Sequence, residues 1–252
     1  MTTPARPAGS PALSETADID SSSDAYARRF AGPVGRWFLE KQRQLTLAAL
    51  DGLPADAQVL DVGGGHAQVA PALVEAGYRV TVAGSDASCG ARLEPWTSAG
   101  RCVFRVADLQ RLPFADRAFD AVVCYRLLAH SVDWLGLIRE LCRVAADRVV
   151  VDYPSRRSMN AVSEGLFGMK RSIEGSMTRP YAMYRPQEMA DAFARFGFDV
   201  SSSAPQFFLP MVMHRMGRSA RLGRALEWLP RAVGLTRVLG SPVILRADRR
   251  PA

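Results

Sequence analysis

Residues 59–73 read VLDVGGGHAQVAPAL. From Gln58 to Val62 the chain is short, mostly apolar and β-branched, which predicts a buried strand carrying one acid, Asp61. Ala67 to Ala76 predicts a helix with Val69, Leu73 and Ala76 on one face. Gly63, Gly64 and Gly65 stand between the two. Glycine tolerates positive φ and lets another backbone or a ligand come close. The first N–H groups of a helix have no partner within it and favour an acceptor or anion. Ligands of open α/β sheets bind just beyond the carboxyl ends of the strands. The stretch therefore predicts a small-molecule site around residues 61–67, with a plain strand–helix turn as the alternative.

Working outward, strand candidates alternate with helical stretches. The strands are Gln58–Val62, Tyr78–Ala83, Cys102–Val106, Ala118–Cys124 and Arg148–Asp152. Helices are predicted at 67–76, 88–97 and 134–145, the last placing Leu135, Ile138, Leu141 and Cys142 at helical spacing. Such alternation predicts a parallel sheet with helices on both faces. Residues 24–50 read as helical with a break near Gly32 and Pro33. Residues 155–184 are mixed and turn-rich, too long for an ordinary connection, which suggests a functional segment or cap. Pro186 to Phe196 predicts a helix with proline near its start and Gly197 after its end. Phe198 toward Phe208 and Pro242–Ala247 predict the last strands.

Composition narrows the class. The chain has 252 residues, 48% hydrophobic, and no apolar run of the ~18 residues a membrane-spanning helix needs. Residues 1–23, rich in Pro, Ala, Ser and acids, predict a disordered leader without the layout of a signal peptide. Cys89, Cys102, Cys124 and Cys142 show no CxxC pairing, which suits reduced thiols in a cytoplasmic protein. The net charge of +7 sits at one end. From Pro205 onward nine arginines face only Glu227 and Asp248, and the rest of the chain is balanced.

The glycines and the acids together bear on the ligand. A dinucleotide fingerprint, G-x-G-x-x-G, fits at Gly63 and Gly65 but meets Gln68 at its third glycine, which weakens a NAD(P)-dependent oxidoreductase. Acids recur at the strand ends. Asp61 closes the first strand, Asp86 follows the second in GSDAS, and Asp108 follows the third in VADLQRLPF; Asp120 opens the fourth in FADRAFDAVVCYRLLAH. Each alone reads as a solvated loop acid; their order and spacing argue against coincidence.

On VLDVGGG, SDAS, ADLQRLPF, FDAVVCYRLLAH and LIRELCRV, the sequence resembles the class I S-adenosylmethionine-dependent methyltransferases, over about residues 57–152. The resemblance implies a Rossmann-like, seven-stranded, mostly parallel sheet whose last strand, PVILRA, is antiparallel. It implies that Asp61, Gly63, Gly64 and Gly65 hold the methionine part of S-adenosylmethionine. Asp86 with Ala87 would hold the ribose, and Asp108 with Leu109 the adenine. Tyr125 and Arg126 would lie beside the methyl sulfonium. Asp86 falls a residue or two later than the family's acid, which bears on the ribose assignment.

Methyl transfer from a sulfonium asks the protein mainly to position a nucleophile and exclude water. His130, shortly after the fourth strand, is the candidate base for an oxygen acceptor; packing is its alternative role. Ubiquinone-pathway O-methyltransferases carry two glutamates and a histidine near here and bind a metal. Arg126 and Ala129 stand at the glutamate places, so no metal site is expected. No nucleic-acid signature is present, and a small or lipid-linked acceptor is expected, with O-methylation preferred. A non-catalytic cofactor-binding protein is a further alternative.

The expected organisation is a single domain at 24–252 with its cofactor core at about 57–152 and cap segments at about 24–45, 155–184 and 207–240. Arg215, Arg218, Arg221 and Arg224 recur every three residues, with Leu222, Leu226 and Leu229 along another side. Two readings follow: a helix packed on the domain with a solvated basic face, or a cap touching an anionic membrane surface. The corresponding location is cytoplasmic, on the second reading at the inner face of a membrane.

Overall fold

Strand β1 (Gln58–Val62) lies mid-sheet, between β2 (Arg79–Gly84) and β4 (Phe119–Cys124), and is parallel to both. The computed structural model describes residues 16–158 and 181–251. With β3 (Cys102–Val106), β5 (Ala145–Tyr153), β6 (Phe198–Phe207) and β7 (Ser241–Arg249) the sheet has seven strands in the order β3-β2-β1-β4-β5-β7-β6. Only β7 runs against its neighbours, inserted between β5 and β6. The expected Rossmann-like sheet is present, with its antiparallel strand one place in from the edge.

Ten α-helices are described: α1 (Ala17–Ser22), α2 (Asp24–Ala27), α3 (Gly32–Leu50), α4 (Ala70–Glu75), α5 (Glu94–Thr97), α6 (Trp134–Val144), α7 (Pro186–Arg195), α8 (Met211–Met216), α9 (Ala220–Ala232) and α10 (Leu235–Leu239). Side chains alternate across the strands and fill two cores. Leu60, Val62, Val122, Cys124, Val149 and Val151 meet Leu137, Ile138 and Leu141 of α6 and Met189 and Phe193 of α7. Val59, Ala121, Val123 and Val150 meet Ala49 and Leu50 of α3 and Leu73 and Val74 of α4 on the opposite face. Each fully buried Leu or Val contributes about 1.5–3 kcal/mol. All four cysteines are buried free thiols.

Three local readings are corrected. The expected disordered leader, 1–23, ends in the helix α1, which packs Ala17 into the first core and buries Asp18 completely; residues 1–15 lie outside the described residues. Tertiary contact overrides a composition that predicts disorder. The helix expected from Ala67 begins at Ala70, because Gly64–His66 form a 3-10 turn and Ala67 takes a left-handed φ of 53°.

The arginine-bearing segment is not one helix. It breaks at Gly217, and Ser219 caps α9 by accepting from the Leu222 N–H at 3.3 Å. Its inward face is also unexpected. Gly223 and Glu227 are buried, and Leu222, Leu226, Trp228 and Leu229 are exposed. The reason is a polar anchor. Glu227 accepts from the Phe208 and Leu209 N–H groups and bonds His214 Nε2, all at 2.9 Å. The cap segments 24–45 and 207–240 meet in a third core of Phe30, Val34, Phe38 and Phe207, flanked by Trp37. Most of the third cap segment, residues 159–180, lies outside the described residues.

Candidate active site

In the order β3-β2-β1-β4, chain direction across the sheet reverses between β1 and β4, and the crevice at their carboxyl ends is the place where such sheets bind ligands. The Gly63 turn leaves β1 there. Its N–H donates to the Ala83 carbonyl of β2 at 2.8 Å, and its φ is 75°. A Cβ at Gly63 would stand 2.5 Å from Leu127 Cδ1, and one at Gly64 would strike the Asp61 carboxylate. The glycines are thus required by close approach as well as by φ.

Asp61 is completely buried, and neither carboxylate oxygen has a hydrogen-bond partner. Burial pushes its carboxyl up to about 7, against a smaller lowering by the Ala70 N–H, which lies outside hydrogen-bonding geometry. His66 is buried beside it in the loop. Its Nδ1 accepts from the Gln68 N–H at 3.1 Å, and its Nε2 has no partner. Burial, reinforced by the Arg126 guanidinium, holds the imidazole well below its usual range. The ring is therefore neutral, and with Nδ1 accepting, the proton sits on Nε2. The loop presents a buried carboxylate and a buried N–H donor, both unpartnered. Unsatisfied buried groups are costly and mark places where a polar ligand completes the site.

The expected ribose end is built differently from its sequence reading. Asp86 and Ala87 are exposed, and Asp86 Oδ1 accepts from the Ser88 N–H at 2.9 Å, capping the following 3-10 turn. A second carboxylate, Asp18 of α1, lies buried at this strand end. It accepts from the Ser85 N–H at 2.7 Å and from the Ser85 hydroxyl. Arg92 ties α1 down by donating to the Ser22 carbonyl at 3.1 Å and pairing with Asp24. Asp108 accepts from the Gln110 N–H at 2.9 Å in a tight turn, and Leu109 is buried in the core that also holds Ala17 and Leu127.

The end of β4 divides two neighbours. Tyr125 points to the opposite face of the sheet, where its hydroxyl meets Thr46 of α3 at 2.8 Å and burial raises its pKa. Arg126 has a left-handed φ of 65°, uncommon for a residue other than glycine. Its N–H donates to Asp152 Oδ1 at 2.6 Å, and its guanidinium reaches Tyr26 Oη at 3.2 Å and Gln42 Oε1 at 2.6 Å. His130 ends a 3-10 turn (Leu128–His130), its ring 5.5 Å from that of Tyr181. Among the described residues, no cluster of His, Cys, Asp and Glu assembles the ligands of a metal site.

The sequence reading missed Asp18, the His66 ring, Tyr26, Gln42 and Asp152. Nothing local signals Asp18, whose contact spans 67 positions of the chain. The neighbourhood of Asp152 was more legible, since it stands one residue before the end of β5 as Asp61 does in β1.

The family model described as a methyltransferase domain matches residues 60–149, and the sheet around them has the fold of the class I enzymes. S-adenosylmethionine is the methyl donor of that class. The matched segment begins within β1, takes in the glycine loop and ends within β5. Among solved structures, the magnesium protoporphyrin IX methyltransferase of Synechocystis PCC 6803, with bound SAH, is 15% identical with a TM-score of 0.63, covering 92% of this chain and 97% of that one. A putative methyltransferase of Bacillus halodurans C-125 is 15% identical with a TM-score of 0.57, over 82% and 98% of the two chains. A 4+2 cyclase is 19% identical with a TM-score of 0.57, over 83% and 81%. At these identities the likeness is one of fold, and the cyclase shows that the fold hosts other chemistry. No curated protein matches the chain.

Proposed function

We propose that this enzyme transfers the methyl group of S-adenosylmethionine to an oxygen of a small or lipophilic acceptor. The observation that carries the reading is the unpartnered pair at the glycine loop. The Asp61 carboxylate suits an ammonium, and the His66 Nε2–H suits a carboxylate; an α-amino acid head offers both. Gly63, Gly64 and Gly65 admit the methionine part, Asp86 and Ala87 lie at the ribose end with Asp18 beneath, and Asp108 and Leu109 serve the adenine. Bound there, S-adenosylmethionine supplies a methyl on a cationic sulfur. The chain's work is to orient the acceptor and exclude water. Docking of α1 over the loop serves that exclusion, and His130 is the group assigned to take the acceptor's proton.

The exposed face of α9 supports peripheral contact with an anionic membrane. Arg218, Arg221 and Arg224 are exposed beside Leu222, Leu226, Trp228 and Leu229. Arg215, expected among them, turns away over the rings of Phe30 and Phe38. No helix among the described residues is long and apolar enough to cross a membrane.

The test is calorimetric titration of the full chain with S-adenosylhomocysteine. Wild type is expected to bind, and Asp61→Asn and Gly63→Ala are each expected to raise Kd at least tenfold, about 1.4 kcal/mol. A folded wild type that ignores S-adenosylhomocysteine but binds NAD(P) would return the fold to an oxidoreductase. Binding without turnover against any acceptor would leave a cofactor-binding protein.

A further inference from the structure

Between α2, α3, α8 and the end of β4 lies a group of donors, and the carboxylate beside it, Asp152, accepts from the Arg126 backbone N–H at 2.6 Å. Three guanidiniums share two aromatic rings. Arg29 lies 5.0 Å from the Tyr26 ring centroid, Arg126 lies 5.5 Å from Tyr26 and 4.3 Å from Phe30, and Arg215 lies 5.8 Å from Phe30. The rings themselves are 5.7 Å apart. Among the described residues, none of the three guanidiniums is ion-paired with a carboxylate. Gln42, 4% exposed, accepts from Arg126 through Oε1 and leaves its Nε2 amide buried without a partner. Cation–π contacts relieve some of the repulsion, each by about 0.5–2 kcal/mol. They do not neutralise it. The Arg215 guanidinium is held below its ordinary value, by burial first and then by Arg29 and Arg126. The Arg126 backbone, held at positive φ, is the kind of strained conformation that concentrates at ligand clamps.

We propose that Arg29, Arg126, Arg215 and Gln42 form a subsite for an anionic group, carboxylate or phosphate, on the methyl acceptor, with Tyr26 and Phe30 receiving the apolar or planar part beside it. Guanidinium forks match both oxyanions and form the stronger, charge-assisted bonds. The subsite borders the cofactor loop, since Arg126 acts electrostatically on His66. This inference rests on the methyltransferase reading and narrows its acceptor to an amphiphilic or aromatic anion.

The probes are phenyl phosphate, phenylacetate and the neutral benzyl alcohol, titrated into the full chain at low ionic strength, with and without S-adenosylhomocysteine. At least one anion is expected to bind at least tenfold more tightly than benzyl alcohol and to weaken with salt. The stronger of the two identifies the oxyanion. Arg126→Gln risks the local fold, so the deciding variant is Arg29→Gln with Arg215→Gln. It is expected to weaken the anion at least tenfold and leave S-adenosylhomocysteine affinity within twofold. Equal binding of benzyl alcohol, or an anion affinity unmoved in the double variant, would overturn the subsite. Loss of S-adenosylhomocysteine by the same variant would also overturn it, because the arginines would then serve the cofactor. A wild type that binds the anion but not S-adenosylhomocysteine would instead defeat the methyltransferase reading alone.

Discussion

Asp61 shows the tension between a ready site and a stable one. Its carboxyl is held up to about 7 by burial, whereas its ordinary value is 3.8. Between those values the folded protein holds the proton more tightly than the unfolded chain does. Stability is therefore fully present below the lower value and lost as pH rises toward the upper one. Each unit of separation corresponds to about 1.4 kcal/mol. Asp61→Asn keeps the shape and removes the charge. Without cofactor at about pH 8, it is expected to melt several degrees above wild type, at about 2–4 °C per kcal/mol for a chain of this size. Near pH 4 the two should melt together. Calorimetric melting at both pH values checks this, and an unchanged difference across pH would show that Asp61 finds a partner in solution. In the same wild type, affinity for the cofactor's ammonium should strengthen as pH rises through about 7, the opposite direction to stability.

At the scale of elements, the α8–α9 pair hangs on Glu227. Burial alone would raise its carboxyl, but hydrogen bonds from His214, Phe208 and Leu209 outweigh it and hold it below its usual range. That stability is present above about pH 4.5, the ordinary value, and lost as pH falls below it. Glu227→Ala strips partners from two backbone N–H groups and His214 at once, an expected loss of about 3 kcal/mol. Hydrogen exchange should show α8 and α9 opening while β1 and β4 stay protected; uniform protection in the variant would refute the anchor. The strands were legible because a buried parallel strand writes itself as a short, mostly apolar run rich in valine, as Val59–Val62 and Ala121–Val123 do. What β1 carries was legible too, since only glycine suits the backbone at Gly63. The cap was not. An apolar stripe at Leu222, Leu226 and Leu229 predicts an inward face, and only a contact 13 residues away, His214 to Glu227, reverses it. Asp18 and Gln42 act across long separations in the chain, and such pairings leave no trace in local pattern.

For the whole molecule, the charge asymmetry and the reversed α9 have one consequence. The molecule turns toward solvent a face where Trp228 is 70% and Leu229 is 58% exposed, with Arg218, Arg221 and Arg224 beside them. Large apolar side chains exposed next to each other mark interaction surfaces, and on the reading proposed above the arginines would select an anionic one. Near an anionic bilayer each basic residue is worth about 1 kcal/mol, so replacing the three arginines with glutamine should weaken binding by roughly a hundredfold. Trp228→Ala with Leu229→Ala should weaken it as well, but with the salt dependence retained, because the charges remain. Co-sedimentation with vesicles of anionic lipid, against vesicles of zwitterionic lipid alone, separates the two contributions. Equal binding to both kinds of vesicle, or none to either, would return the face to solvent.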